Sequence, residues 1–183
     1  GCRGFLKEFL PGSGSKKSIG RVKAFYGNFL VVVKALVYIM MLGRDGLHDA
    51  AYNAVLNANY MMKRLGGKYT IPYNRGCMHE FVASLADLKK NTGVSALDIA
   101  KSMIDSGMHP PTMYFPLIVS EALMFEPTET ETKETIDFAC DVLLSLYDTA
   151  HENPEKLKAS PTTTPVGRPD EARAARNPVL KYI

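Results

Sequence analysis

Cysteine is scarce and poorly placed for cross-linking. Cys2, Cys77 and Cys140 are odd in number and widely spaced, with no C-x-x-C pair, which argues against a disulfide framework or a structural zinc site and fits a reducing compartment. Long apolar runs are missing as well: the longest, residues 29–42, is broken by Lys34 and falls short of the roughly 20 residues that span a bilayer. No signal-peptide pattern opens the chain, so a soluble, cytoplasmic protein without a membrane role is expected. Charge of one sign is lacking too. The formal net charge is +3 and no stretch concentrates Lys and Arg, so there is no nucleic-acid footprint. Metal-ligand spacing is absent among His48, His79, His109 and His151, and no internal repeat is found.

What is present is an ordinary globular mixture, 46% hydrophobic and 22% charged over 183 residues, enough for one domain with appendages. Residues 1–17 read as a truncated N-terminal segment followed by a Gly-Ser spacer, Pro11-Gly12-Ser13-Gly14-Ser15, flexible by composition and typical of an engineered linker. Two long helices are expected over 18–65. Phe25, Phe29, Val32, Leu36 and Ile39 recur at helical spacing as a core stripe before Gly43, and Leu47, Ala51, Ala54, Ala58, Met61 and Leu65 do so before Gly66-Gly67.

Residues 66–150 read as the α/β part. Strands are expected at 68–71 and 79–85, separated by Pro72 and Asn74-Arg75-Gly76 and able to pair antiparallel. Ser95-Ala96-Leu97-Asp98 is a capping box opening a helix whose apolar face is Leu97, Ala100 and Ile104. A last helix follows Glu129, Glu131 and Glu134, with Ile136, Ala139, Leu143, Tyr147 and Ala150 turned inward. Residues 151–183 are polar and proline-rich; they are expected to wrap another surface or to stay loosely ordered. The order predicts an α+β layer, helices over a small antiparallel sheet.

Residues 109–131 concentrate the stiff loops. Pro110, Pro111 and Pro116 precede an apolar middle at 117–125 that reads as a buried strand, and Glu126-Pro127-Thr128 turns into the next helix. Loops held at strand ends are where binding groups tend to sit. The candidates are His109 with Thr112, and Glu126 with Thr128. The plainer reading of His109 is a loop residue bonded to backbone, and Glu129 and Glu131 suit a helix N-terminus without chemistry. Arg21, Tyr26 and Asn28 put a cation, a phenol and an amide near a helix start, suited to an anionic group; a solvated arginine and close packing at Gly27 explain them equally well. Cys77 and His79, two apart, fall on one strand face, but no third metal ligand is near. A complete active site is not found.

Several segments, in order along the chain, are similar to one family: Ser18-Ile19-Gly20-Arg21 through Tyr26-Gly27-Asn28, Asn53-Ala54-Val55-Leu56-Asn57-Ala58-Asn59-Tyr60, Cys77-Met78-His79-Glu80-Phe81-Val82, Gly93-Val94-Ser95-Ala96-Leu97-Asp98-Ile99-Ala100-Lys101, and residues 109–131. They resemble glycine dehydrogenase (decarboxylating), the P-proteins of the glycine cleavage system. The ending, Thr163-Thr164-Pro165-Val166 to Asn177-Pro178-Val179-Leu180, resembles the separately encoded second subunit of the two-chain form. Family members carry a longer segment where the Gly-Ser spacer stands.

The resemblance implies the small C-terminal domain of an aspartate-aminotransferase-type (fold type I) enzyme that uses pyridoxal 5'-phosphate, decarboxylates glycine and passes the aminomethyl group to the lipoyl arm of H-protein. Subunit 1 of the same enzyme, H-protein and glycine are the implied partners. Arg21, Tyr26, Asn28, His79, His109, Thr112, Glu126 and Thr128 sit in matched motifs and are the cleft candidates the resemblance implies. The family's cofactor lysine lies in an Asn-Leu-His-Lys-Thr-Phe motif. Here the four histidines are followed by Asp, Glu, Pro and Glu, so no covalent cofactor attachment, no catalytic residue and no metal site are expected in this chain, and alone it is expected to be inactive. The alternatives are an assembly or H-protein-docking module without chemistry, and another fold type I aminotransferase or decarboxylase.

Overall fold

The structure is a computed structural model that describes residues 27–181. Arg21, Tyr26, the Gly-Ser spacer and the start of the first expected helix lie outside the described residues. Helix α1, Phe29–Leu65, runs through both expected helices, although Gly43 leaves helical geometry at φ 63° and ψ −169°. That local break is the boundary that the glycine signalled. The Asn28 side-chain oxygen accepts the Val31 amide at 3.3 Å, the ordinary N-cap bond. The described residues fall into two units, divided between Leu47 and His48.

In the second unit the chain continues as strand β1, Phe81–Ser84, helix α2, Ala86–Thr92, helix α3, Ala96–Asp105, strand β2, Thr112–Met113, strand β3, Ala122–Phe125, and helix α4, Lys133–Glu152. Short helices α5, Pro154–Lys158, and α6, Glu171–Arg176, close it. The sheet is antiparallel in the order β1-β3-β2. Phe81 pairs with Phe125 across it and their rings stack at 5.2 Å. The hydrophobic core joins Leu65 of α1, Ala83 of β1, Ile99 and Met103 of α3, Leu123 of β3, Leu143 of α4 and Leu157 of α5, all at most 2% exposed. Burial of one such leucine stabilises by about 2 kcal/mol. No described helix is long and apolar enough to cross a membrane.

Several expectations are corrected. The run 117–125 is not one buried strand: Leu117 and Ile118 are 89% and 81% exposed, and only Ala122–Phe125 is paired. The segment before it, read as loop, forms β2, because Thr112 and Met113 meet Met124 and Leu123. Residues 68–71 contribute a single antiparallel bridge, Thr70 to Ser84, rather than a strand. The stripe Phe29, Val32, Leu36 and Ile39 is exposed rather than core, whereas Ala58, Met61 and Leu65 are buried as expected. On α3 the deeply buried face is Ile99, Ala100 and Met103, not Leu97 and Ile104.

The first half of the tail is fastened to its own unit. Asp105 accepts the amides of Thr162 and Thr163 at 2.7 and 2.9 Å and the Thr163 hydroxyl at 2.8 Å. Arg168 bonds Asp98 at 2.7 Å and the Ser160 carbonyl at 2.5 Å, and Leu157, Ser160 and Pro161 are buried. Loose ordering is therefore not what 154–168 shows. The segment wraps α3.

Candidate functional site

Residues 109–131 gain their shape from Glu121. Its backbone has φ 49°, a conformation costly without glycine. The side chain offsets that cost by accepting the Ala96 amide at 2.8 Å and Lys89 Nζ at 2.5 Å, while its carbonyl accepts the Leu85 amide at 3.0 Å. The β2–β3 hairpin is thus tied to the ends of α2 and α3. Tyr114, also at positive φ (58°), donates its amide to the Ala122 carbonyl at 2.8 Å.

Two asparagines of α1 hold the flanking loops. Asn57 Nδ2 donates to the carbonyls of Thr128 and Glu131 at 2.9 and 3.3 Å. Asn59 grips Cys77 on both sides, donating to its carbonyl at 2.7 Å and accepting its amide at 3.1 Å. Mid-helix asparagines are poor helix formers whose side chains bond readily to backbone, but which loops these two hold depends on contacts 18 to 74 residues away. Alongside, Asp137 accepts Tyr60 Oη and Lys133 Nζ, each at 2.5 Å, and Arg64. The Lys133 ammonium, then the Tyr60 hydroxyl and the Arg64 charge, hold the Asp137 carboxyl down at about 2. The network ties α1 to α4.

Between these parts lies a cleft of about 580 Å³. Met61, Met103, Met108, Phe125, Ile136 and Phe138 form its apolar walls, Pro110, Pro111 and Pro127 stiffen them, and His109, Thr112, Glu126, Glu131 and Thr135 are its polar lining. Among the described residues its lining holds no lysine and no arginine. At its edge the ligand atoms of His79, Glu80 and Glu126 lie within 4.8 Å of one another, all three exposed. That spacing could hold a divalent cation, but none of the three is buried, and among the described residues no further ligand joins them. Cys140, fully buried on α4, has its thiol pushed up to about 11 by burial, against the pull of the Arg64 charge.

The structure brings His109, Thr112 and Glu126 together in one cleft and His79 to its edge. Thr128 is spent locally, its hydroxyl 2.8 Å from that of Thr130 and its carbonyl on Asn57. Asn28 serves as a helix cap.

Residues 50–164 match the family model described as glycine dehydrogenase, C-terminal domain. The chain belongs to this family. The match covers most of the 183 residues, including every wall of the cleft. Proteins named "Probable glycine dehydrogenase (decarboxylating) subunit 2" agree with it. The one from Treponema denticola is 56% identical over 195 residues, covering 100% of the chain and 40% of the relative. Those from Desulforamulus reducens and Thermotoga petrophila are each 54% identical, covering 96% and 95% of the chain and 36% of each relative. The chain therefore spans about two fifths of the length of these relatives, and corresponds to a C-terminal portion of subunit 2.

Proposed function

We propose that the chain is the small C-terminal domain of a cytoplasmic, glycine-decarboxylating subunit of fold type I, and that its cleft forms part of the channel through which the lipoyl arm of H-protein reaches the reacting centre. The observation that carries this reading is the character of the lining. Methionine and phenylalanine walls without one cation suit an uncharged, flexible methylene chain, because thioether side chains adapt to irregular apolar guests. The same lining does not suit pyridoxal 5'-phosphate, the cofactor the family implies. A phosphate calls for cationic or backbone donors and the carbonyl for an amine, and among the described residues the lining offers neither lysine nor arginine. Cofactor binding and the chemistry on glycine are therefore assigned to the rest of subunit 2 together with subunit 1. This chain contributes shape: proline-stiffened walls that exclude water, Glu126 and Glu131 in the lining, and His109 and Thr112 as hydrogen-bonding groups.

Two measurements test the reading. Treating the 183-residue chain with pyridoxal phosphate and borohydride should leave its intact mass free of any stoichiometric adduct; a single-lysine adduct would overturn the assignment of the cofactor elsewhere. In the two-subunit enzyme, glutamate at the position of Phe138 should raise the KM for lipoyl H-protein by roughly tenfold, about 1.4 kcal/mol of lost arm binding, with the cofactor absorbance intact. An unchanged KM would remove the channel.

A further inference from the structure

The first part of α1 carries an unexplained apolar surface. Leu30, Val31, Val32, Ile39, Met40 and Met41 are 50–80% exposed. At about 100° per residue, Met40 faces one quarter of the helix, Leu30 and Met41 the next, Val31 the third, and Val32 with Ile39 the last. A helix apolar on every side is one that is enclosed, and exposure on this scale marks an interaction surface. The distribution discriminates among occupants. A second copy of this chain would cover a single seam, leaving the other quarters wet. Lipid would need a longer span than this stretch provides. Only a surrounding protein layer covers four sides.

We infer that residues 29–42 are a core helix of a larger domain, enclosed by the part of subunit 2 that precedes the matched portion in the relatives. About three fifths of the Treponema denticola relative lies outside the match, ample chain for such a layer. This inference rests on family membership and is independent of the lipoyl-channel reading.

Cysteine accessibility tests it. Single substitutions Met40→Cys, Met41→Cys, Val31→Cys and Ile39→Cys, one per quarter, should react rapidly with a maleimide in the 183-residue chain. Placed at the matching positions of the full-length Treponema denticola relative, without subunit 1, all four should react at least about 100-fold more slowly under native conditions and recover their rate in urea. Fast labelling of any quarter in the full-length protein overturns the inference. So does protection that already exists in the 183-residue chain and disappears on dilution, which would identify a second copy as the occupant, or protection that develops only when subunit 1 is added.

Discussion

Two stretches of α1, residues 29–42 and 58–65, both carry apolar side chains at helical spacing and meet opposite fates. Leu65 and Ala58 are fully buried, while Met40 and Met41 are 74% and 80% exposed. Periodicity reports that a face is apolar and says nothing of what covers it. The difference lies in the partners: 58–65 packs into the core of its own unit, whereas most side chains of 29–42 stay exposed.

The comparison breaks most readily at its buried end. Leu65→Ala should cost about 2–5 kcal/mol in urea unfolding, the usual effect of emptying a closed site. Met40→Ala should move the same curve by less than about 0.5 kcal/mol; equal effects would mean that the exposed stretch is packed after all. A smaller effect is expected where the tail meets α3. Asp105→Asn keeps the shape but loses charge from a site built of donors, at a cost of about 1–3 kcal/mol, seen as lower urea resistance and faster proteolysis after residue 159.

Acid should reproduce that change. Burial pushes the Asp98 carboxyl up, but bonds from the Ser95 hydroxyl and amide and from Arg168 outweigh it; at Asp105 the bonds from Thr163, Ser160 and Thr162 likewise outweigh burial. Both carboxyls therefore titrate below their ordinary value of about 3.9. Their contribution is complete above that value and is lost as pH falls through the lower folded one. Thermal melts from pH 6 downward should fall steeply only below about pH 4, and Asp105→Asn should flatten the fall. A more local effect is expected at Asn57→Ala: about 1 kcal/mol from two carbonyl bonds, with faster amide exchange at residues 128–131 and little change elsewhere.

Local signals in the sequence were read well where the local chemistry is complete in itself. Ser95 and Asp98 form the capping box, Gly43 breaks helical geometry, and Ile136, Leu143 and Ala150 are buried along α4. Reading failed where a partner far along the chain decides the outcome. Thr112 and Met113 become a strand only because Met124 and Leu123 lie opposite, and Ile118 looks like core but sits at a hairpin tip. The cleft was legible in part: His109, Thr112 and Glu126 were named from stiff loops around 109–131, while the walls from Met61, Met103 and Phe138 depend on how α1, α3 and α4 converge. Asn57 and Asn59 carry no periodicity, so their hold on the two loops emerges only in three dimensions.

Cys140 turns that packing into a clock. A thiol with no exposed surface and a pKa near 11 is almost entirely un-ionised at neutral pH and sealed from reagents. Half-buried Cys77 sits in a loop held by one asparagine and needs only a local excursion to react. The two rates, read from one labelling experiment, therefore separate the breathing of the cleft's edge from the opening of the whole core.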